Sequence, residues 1–176
     1  MIFTPTPLEG VVLIVPQRME DDRGFFARLT CQREMAEHGL DPTVVQRSVS
    51  YNRLRGTLRG MHYQLAPHQE NKLVSCLSGA IYDVVVDLRP GSPTHRRWYG
   101  ATLTPEGMEA LFVPRGCAHG FITLADETRV HYEISDFHHA ESARGVRYDD
   151  PAFGIAWPLA PVVIADRDRS YPAYTG

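Results

Sequence analysis

The sequence contains no long hydrophobic run and few cysteines. A membrane-spanning helix needs about 20 consecutive apolar residues, and no such stretch occurs, so we expect no membrane association. The first ten residues, MIFTPTPLEG, lack a basic region followed by an apolar stretch, so no secretory signal is expected. Cys31, Cys76 and Cys117 are odd in number and widely spaced. This pattern argues against a disulfide framework and predicts a cytoplasmic protein.

The sequence also lacks the positive charge typical of nucleic-acid binders. Its formal net charge is -3 and its pI is about 6.2, whereas such proteins usually carry a dense basic stripe. The arginines occur singly or in pairs, which suits one small anion such as a diphosphate, because guanidinium groups match phosphate oxygens. A small-molecule partner is therefore expected, and no nucleic acid.

Lysine is almost absent. Lys72 is the only lysine among 18 basic residues. A general bias towards arginine explains why lysine is scarce. A single lysine retained despite this bias suggests a position where arginine could not replace it. Lysine offers a compact point charge where arginine offers a planar fork, so Lys72 is a candidate functional residue.

Short apolar runs with a period of two alternate with glycine and proline throughout residues 1–176, which we interpret as one domain. Strand–helix alternation and a glycine-rich dinucleotide fingerprint are both missing, which disfavours a doubly wound fold. Eight or more strands predict an all-β antiparallel barrel or jelly roll with room for one ligand. A short helix is expected at residues 33–38 and an irregular C-terminal tail from Pro151. The predicted strands are residues 11–15, 25–29, 44–51, 73–77, 81–88, 99–103, 110–113, 121–124 and 129–135.

Two histidine motifs could carry chemistry. The first, GTLRGMHYQ at residues 56–64, contains Arg59 and His62, which strand parity would place on opposite faces unless Gly60 bends the chain. The second, VPRGCAHGF at residues 113–121, is similar to the second half of a cupin signature and contains His119.

The usual metal ligands of a cupin are incomplete in this sequence. Metal cupins add an earlier H-x-H and a glutamate, but the earlier motif here reads HYQ. His68 and Glu70 lie nearby, although their spacing is not the usual one, so we expect a barrel without a metal. A metal enzyme that uses His62, His68, Glu70 and His119 stays as an alternative, and elemental analysis would decide it.

Two further segments carry polar groups with possible roles. RVHYEIS, residues 129–135, contains Tyr132, although a tyrosine on a strand is usually a packing residue with one polar end. ADRDRS, residues 165–170, alternates aspartate with arginine and is by itself typical of a solvated charge cluster.

Taken in order, these motifs resemble the dTDP-4-dehydrorhamnose 3,5-epimerase family over nearly the whole chain, from about residue 21 to residue 172. The matching segments are RGMHYQ, NKLV, DVVVDLR, GSPT, PRGCAHGF, YEIS, DDPAFGIAWP and DRD. The resemblance implies a homodimeric, cupin-like jelly roll that inverts C3, C5 or both of a nucleotide-linked 4-keto-6-deoxyhexose without a cofactor.

The resemblance also implies residue roles. His62 would be the general base, Asp168 would hold it, Tyr132 would be the acid on the opposite face of the sugar, and Lys72 would lie near the ketone. The residues implied to bind the nucleotide diphosphate or sugar are Arg23, Gln46, Arg59, His119, His138 and Arg167.

The chain departs from the family pattern on the nucleotide side. Arg28 stands where the family often has glutamate, His138 where a tyrosine usually stacks on thymine, and Ala143 where a glutamate is common. The expected catalytic residues are intact, so the departures leave the nucleotide base open.

The chemistry of epimerisation explains why such groups are needed. Removing a proton beside a ketone creates an enolate, which a lysine ammonium can stabilise while a histidine accepts the proton. Inversion requires a second group on the other face, and a tyrosine hydroxyl can supply the proton. A barrel that only binds sugar nucleotides is a further alternative, which solvent deuterium exchange would distinguish, and a different sugar isomerase on the same barrel is another.

Overall fold

The computed structural model describes residues 1–176. Strands dominate, and the elements in chain order are β1 (Ile2–Pro5), β2 (Val12–Val15), β3 (Arg18–Asp21), β4 (Gly24–Ala27), α1 (Gln32–Glu37), β5 (Gln46–Asn52), β6 (Thr57–Gln64), β7 (Lys72–Ser78), β8 (Ile81–Asp87), β9 (Trp98–Leu103), β10 (Ala110–Val113), β11 (Cys117–Thr123), β12 (Thr128–Ile134), β13 (Ala143–Gly145), β14 (Val163–Ile164) and α2 (Asp166–Arg169). Neither helix has the length or apolar character needed to cross a bilayer.

Two sheets form the body of the molecule. The first has the strand order β1-β2-β10-β7-β12-β5, and the second has the order β13-β6-β11-β8-β9 with β14 added beside β6. Strands β3 and β4 form a separate hairpin. All pairings are antiparallel except that of β14 with β6. The expected all-β antiparallel fold is therefore confirmed.

The largest apolar core joins the two sheets. Val74 and Val130 of the first sheet and Val85 and Phe121 of the second are almost completely buried in one cluster. Strand alternation places these residues between the sheets, while Val84 and Val86 on the other face of β8 are equally buried in a second cluster. The core therefore holds the sheets face to face, with space for a ligand between them.

Most predicted elements appear within one or two residues of their expected ends. Strand β4 ends at Ala27 rather than Leu29, and the run predicted at residues 121–124 is the second half of β11. The predicted helix is α1, and the chain leaves it through Gly39, which has a positive φ of 72°. The tail is mostly irregular, but it contains β14 and the single turn of α2, which the sequence did not indicate.

A bulge between β6 and β11 brings Arg59 and His62 to the same cavity. His62 pairs with His119 and Arg59 with Phe121, so two residues of β6 oppose the single residue Gly120. Gly60 lies in this bulge with φ of 136°, and a Cβ there would lie 2.5 Å from the Gly120 Cα. The extra residue shifts the alternation of β6, which is why simple strand parity does not apply here.

Candidate active site

A cavity of about 790 Å³ opens between the two sheets. Side chains from β5, β7 and β12 line it on one side, and side chains from β6, β11 and β13 line the other, with α2 and the loop after β12 at its margin. This volume lies within the range of small-molecule sites. Nine of the ten expected site residues line it: Gln46, Arg59, His62, Lys72, His119, Tyr132, His138, Arg167 and Asp168.

Arg23 is the exception. It lies at the turn of the β3–β4 hairpin, its side chain is 89% exposed, and its guanidinium pairs with Asp21 at 2.5 Å. The structure of one chain does not bring Arg23 to its own cavity. Its predicted role in ligand binding stays a prediction that one chain by itself does not test.

His62 and Asp168 form a close pair. The Nε2 atom of His62 lies 2.7 Å from Oδ1 of Asp168, and the backbone N–H of Gly60 donates to Oδ2 at 3.1 Å. Burial alone would raise the pKa of Asp168, but the hydrogen bonds from His62 and Gly60 and the nearby positive charges lower it overall. A carboxylate only accepts hydrogen bonds, so Nε2 of His62 carries a hydrogen, and in the neutral imidazole the lone pair is on Nδ1.

Tyr132 approaches the cavity from the opposite sheet. It lies on β12, whereas His62 lies on β6. Burial raises the pKa of its phenol above the ordinary value, and a weak hydrogen bond of 3.4 Å with Ser50 only partly opposes this. Tyr132 therefore remains a neutral proton donor at physiological pH.

Lys72 is held at the start of β7. Its ammonium lies 3.0 Å from Oε1 of Glu70 and donates to the backbone oxygen of His62 at 3.3 Å. Both side chains of this ion pair are nearly buried. These two contacts hold the Lys72 ammonium beside the His62 backbone, at the cavity that both residues line.

His119 has a buried partner that the sequence analysis missed. Its Nε2 atom lies 2.7 Å from Oδ1 of Asp83, and the ring meets Tyr132 edge-on with centroids 6.2 Å apart. Burial raises the pKa of the Asp83 carboxyl, and the contact with His119 offsets this only in part. Asp83 could be read in the sequence only as one polar residue of an alternating strand, which usually faces solvent.

Arginines supply further positive charge along the cavity. Arg59 donates to Oδ1 of Asn52 at 2.7 Å, and Arg144 donates to the backbone oxygens of Glu141 and Ala143. These acceptors are uncharged, so the guanidinium charges are not neutralised by them. Arg144 was not predicted from the sequence, although it directly follows Ala143, which stands where the family commonly has a glutamate.

The alternative metal site does not form. His62 and His119 are each bonded to an aspartate, Glu70 pairs with Lys72, and His68 stacks on His139 with centroids 3.5 Å apart. The only group of three potential ligands with donor atoms within 4.8 Å of one another is His68, Asp136 and His139. The four residues of the alternative are therefore not gathered around one point.

The fold is a cupin-like barrel, and its cavity suits acid–base chemistry, because side chains able to transfer protons line one ligand-sized space from both sheets. The chain matches the family model described as dTDP-4-dehydrorhamnose 3,5-epimerase over residues 5–175. It belongs to this family and is an isomerase.

Individual relatives agree with this assignment. The dTDP-4-dehydrorhamnose 3,5-epimerase of Sinorhizobium fredii is 40% identical over 98% of this chain and 89% of its own. The crystal structure of the enzyme of that name from Elizabethkingia anophelis matches with a TM-score of 0.96 at 36% identity, covering 99% of this chain and 96% of that one. ChmJ of Streptomyces bikiniensis, described as a 3'-monoepimerase in complex with dTDP-quinovose, matches with a TM-score of 0.87 at 33% identity, covering 97% and 86%.

Proposed function

We propose that this epimerase acts on a dTDP-linked 4-keto-6-deoxyhexose, using His62 as the base and Tyr132 as the acid. The observation that carries the proposal is that these two side chains line one cavity from opposite sheets. A sugar bound between them would lose a proton on one face and gain one on the other. The names of the relatives, which specify dTDP sugars, support this substrate class.

His62 is suited to the base role by its bond to Asp168. The carboxylate fixes the hydrogen on Nε2, which leaves Nδ1 free to accept a proton from carbon. When the imidazole becomes positively charged, the same carboxylate stabilises it. Asp168 thus positions the base and does not itself contact the reacting carbon.

Tyr132 is suited to the acid role because its pKa is raised by burial. The phenol stays protonated until the enolate forms, and then its proton can pass to the carbon from the side opposite His62. The proton taken by His62 returns to solvent and the phenolate recovers its own, so each inversion ends with both groups restored. Such a cycle exchanges protons alone and needs no redox cofactor.

The remaining cations divide between the ketone and the diphosphate. Lys72 is close to His62 and would stabilise the enolate oxygen. Arg59, Arg144 and Arg167 line the same cavity and would bind the diphosphate. His119 would contact the sugar. Gln46 accepts a hydrogen bond from the backbone N–H of His138 at 2.9 Å, and this pair would contact the nucleotide.

We further propose that the chain functions as a homodimer in the cytoplasm. The β3–β4 hairpin carries exposed apolar side chains, with Phe26 at 66%, Met19 at 56% and Phe25 at 52%. A second copy of this chain would cover them and could receive Arg23 at its own cavity, the role that one chain alone does not provide. We expect Phe26→Ser to shift the mass measured by light scattering from dimer to monomer and to lower activity; a wild-type monomer would contradict the dimer.

The proposed chemistry is tested by solvent exchange. Wild-type protein in deuterated water with dTDP-4-keto-6-deoxyglucose should incorporate deuterium at C3, C5 or both, as followed by NMR at each ring position. His62→Ala should abolish incorporation, whereas His38→Ala, which changes an exposed histidine stacked on Phe3 of the outer surface, should not. Absence of exchange by the wild-type protein would refute the proposed activity.

A further inference from the structure

Glu70 is an unusual residue of the cavity. It lies in the loop between β6 and β7, two positions before Lys72, and its side chain is only 7% exposed although it lines the cavity. Its Oε1 atom is 3.0 Å from the Lys72 ammonium, whereas its Oε2 atom is buried and has no hydrogen-bond partner. Buried carboxylate oxygens without partners are unfavourable, so their retention in a native fold calls for a reason.

The hydrogen bonds of Lys72 offer a reason for keeping the Glu70 carboxylate at this position. An ammonium has three N–H donors. One is directed to Glu70 and a second to the backbone oxygen of His62. The third is left for the cavity, which Lys72 also lines. A lysine side chain is flexible and directs its charge poorly by itself, so the two fixed acceptors determine where the third N–H points.

We propose that Glu70 is a positioning residue that aims Lys72 at the ketone oxygen of the substrate. The inference rests on the proposed function above. As the carbon-bound proton moves to His62, negative charge develops on the ketone oxygen, and the third N–H of Lys72 donates to it without transferring its proton. Glu70 contributes by holding the ammonium in the direction where that charge appears, which is most valuable in the transition state.

Replacing Glu70 should therefore lower kcat more than it weakens substrate binding. Substrate affinity would come mainly from the diphosphate contacts, which do not involve Glu70. Glu70→Gln keeps the size of the side chain and one acceptor oxygen but removes its charge, and Glu70→Ala removes the acceptor altogether. Loss of one well-aimed oxyanion donor typically costs about 100- to 1,000-fold in kcat.

We therefore expect kcat for deuterium exchange to fall about 10-fold in Glu70→Gln and about 100-fold in Glu70→Ala, with KM within about twofold of wild type. Glu37→Gln, an exposed glutamate on α1, is the matched control and should leave both values unchanged. Melting temperatures are measured alongside, because a purely structural role would lower stability while leaving kcat of the folded protein intact.

A double-mutant cycle tests whether Glu70 acts through Lys72. In a Lys72→Met background, where exchange is followed over hours, adding Glu70→Gln should cause no further loss of rate, because the group that it aims is gone. Wild-type kcat in folded Glu70→Ala, or an equal loss from Glu70→Gln in both backgrounds, would overturn the inference. Absence of exchange by the wild-type protein would instead refute the proposed function, so the two failures are distinguishable.

Discussion

Replacing Asp168 with asparagine removes one acceptor from a carboxylate that uses both of its oxygens. Oδ1 receives the hydrogen bond from His62, and Oδ2 receives the N–H of Gly60. An asparagine has one oxygen and one NH₂ group, so it can accept from only one of these donors. If its oxygen serves Gly60, its NH₂ group faces Nε2, and the imidazole must move its hydrogen to Nδ1, where the base needs a lone pair.

The size of the effect follows from two losses. A hydrogen bond to a charged group contributes about 1.5–3 kcal/mol, which corresponds to about 10- to 150-fold in rate if the bond is made fully only to the imidazolium. The reversed tautomer adds to this, because only the minority of molecules with a free Nδ1 lone pair can react. We expect kcat to fall by about 10²- to 10⁴-fold, the upper limit being the loss seen when an aspartate behind a catalytic histidine becomes asparagine.

The assay is deuterium incorporation at C3 and C5 of dTDP-4-keto-6-deoxyglucose, with initial rates compared at saturating substrate. Asp166→Asn is the matched control, since it makes the same chemical change on α2 at an exposed position. KM should change little, because Asp168 lies behind His62 and is itself nearly buried. An Asp168→Asn protein with the wild-type rate, or an equal loss in Asp166→Asn, would refute this account of the base.

Three more outcomes are expected. In Tyr132→Phe, His62 still removes and returns protons on its own face, so NMR should show deuterium entering with retention while inversion falls by about 100-fold or more. Gly60→Ala should lower the free energy of unfolding in urea by more than about 2 kcal/mol, because its Cβ would meet the Gly120 backbone at 2.5 Å; an unchanged value would contradict the bulge. Burial raises the pKa of Tyr132, so the phenol should stay protonated up to its ordinary pKa of about 10. The stability that the buried neutral phenol contributes should be complete below that pH and decline only above it. Inversion that falls between about pH 8 and pH 10 together with tyrosinate formation at Tyr132 would contradict this.

The regular part of the fold could be predicted because its signal is local. Short apolar runs bounded by turn residues predicted β7, β8, β10 and β12 as strands, although β8 and β10 are buried on both faces rather than on one. The predicted strands omitted β1, β3, β6, β13 and β14, and α2 was also missed. Strand β6 is eight residues long, but Gly60 interrupts its pattern. Strand β14 has two residues and exists because it pairs with β6, and α2 is a single turn. No periodic pattern can be read from so few residues.

The sequence predicted those site residues that belong to motifs recurring in the family order. Spacing alone placed Arg59 and His62 on opposite faces, and only the Gly60 bulge explains why both line the cavity. Asp83 was missed because a strand aspartate gives no sign in the sequence of being completely buried. Arg23 lies on the exposed β3–β4 hairpin, away from the cavity of its own chain, so the fold of one chain does not test its predicted role.

The partners of the charged groups bear on how one cavity could, as proposed, bind a diphosphate and also carry out acid–base chemistry. The three groups assigned to the sugar, His62, Lys72 and His119, each have a carboxylate partner within 3.0 Å. Arg59 and Arg144 instead donate to neutral oxygens. Positive charge without a carboxylate partner therefore lies on Arg59 and Arg144, where a diphosphate would satisfy it, while carboxylate contacts hold His62, Lys72 and His119 in position. Under the proposed function, a substrate would be oriented by its phosphates before any proton moves, so we expect mutations to separate binding from chemistry.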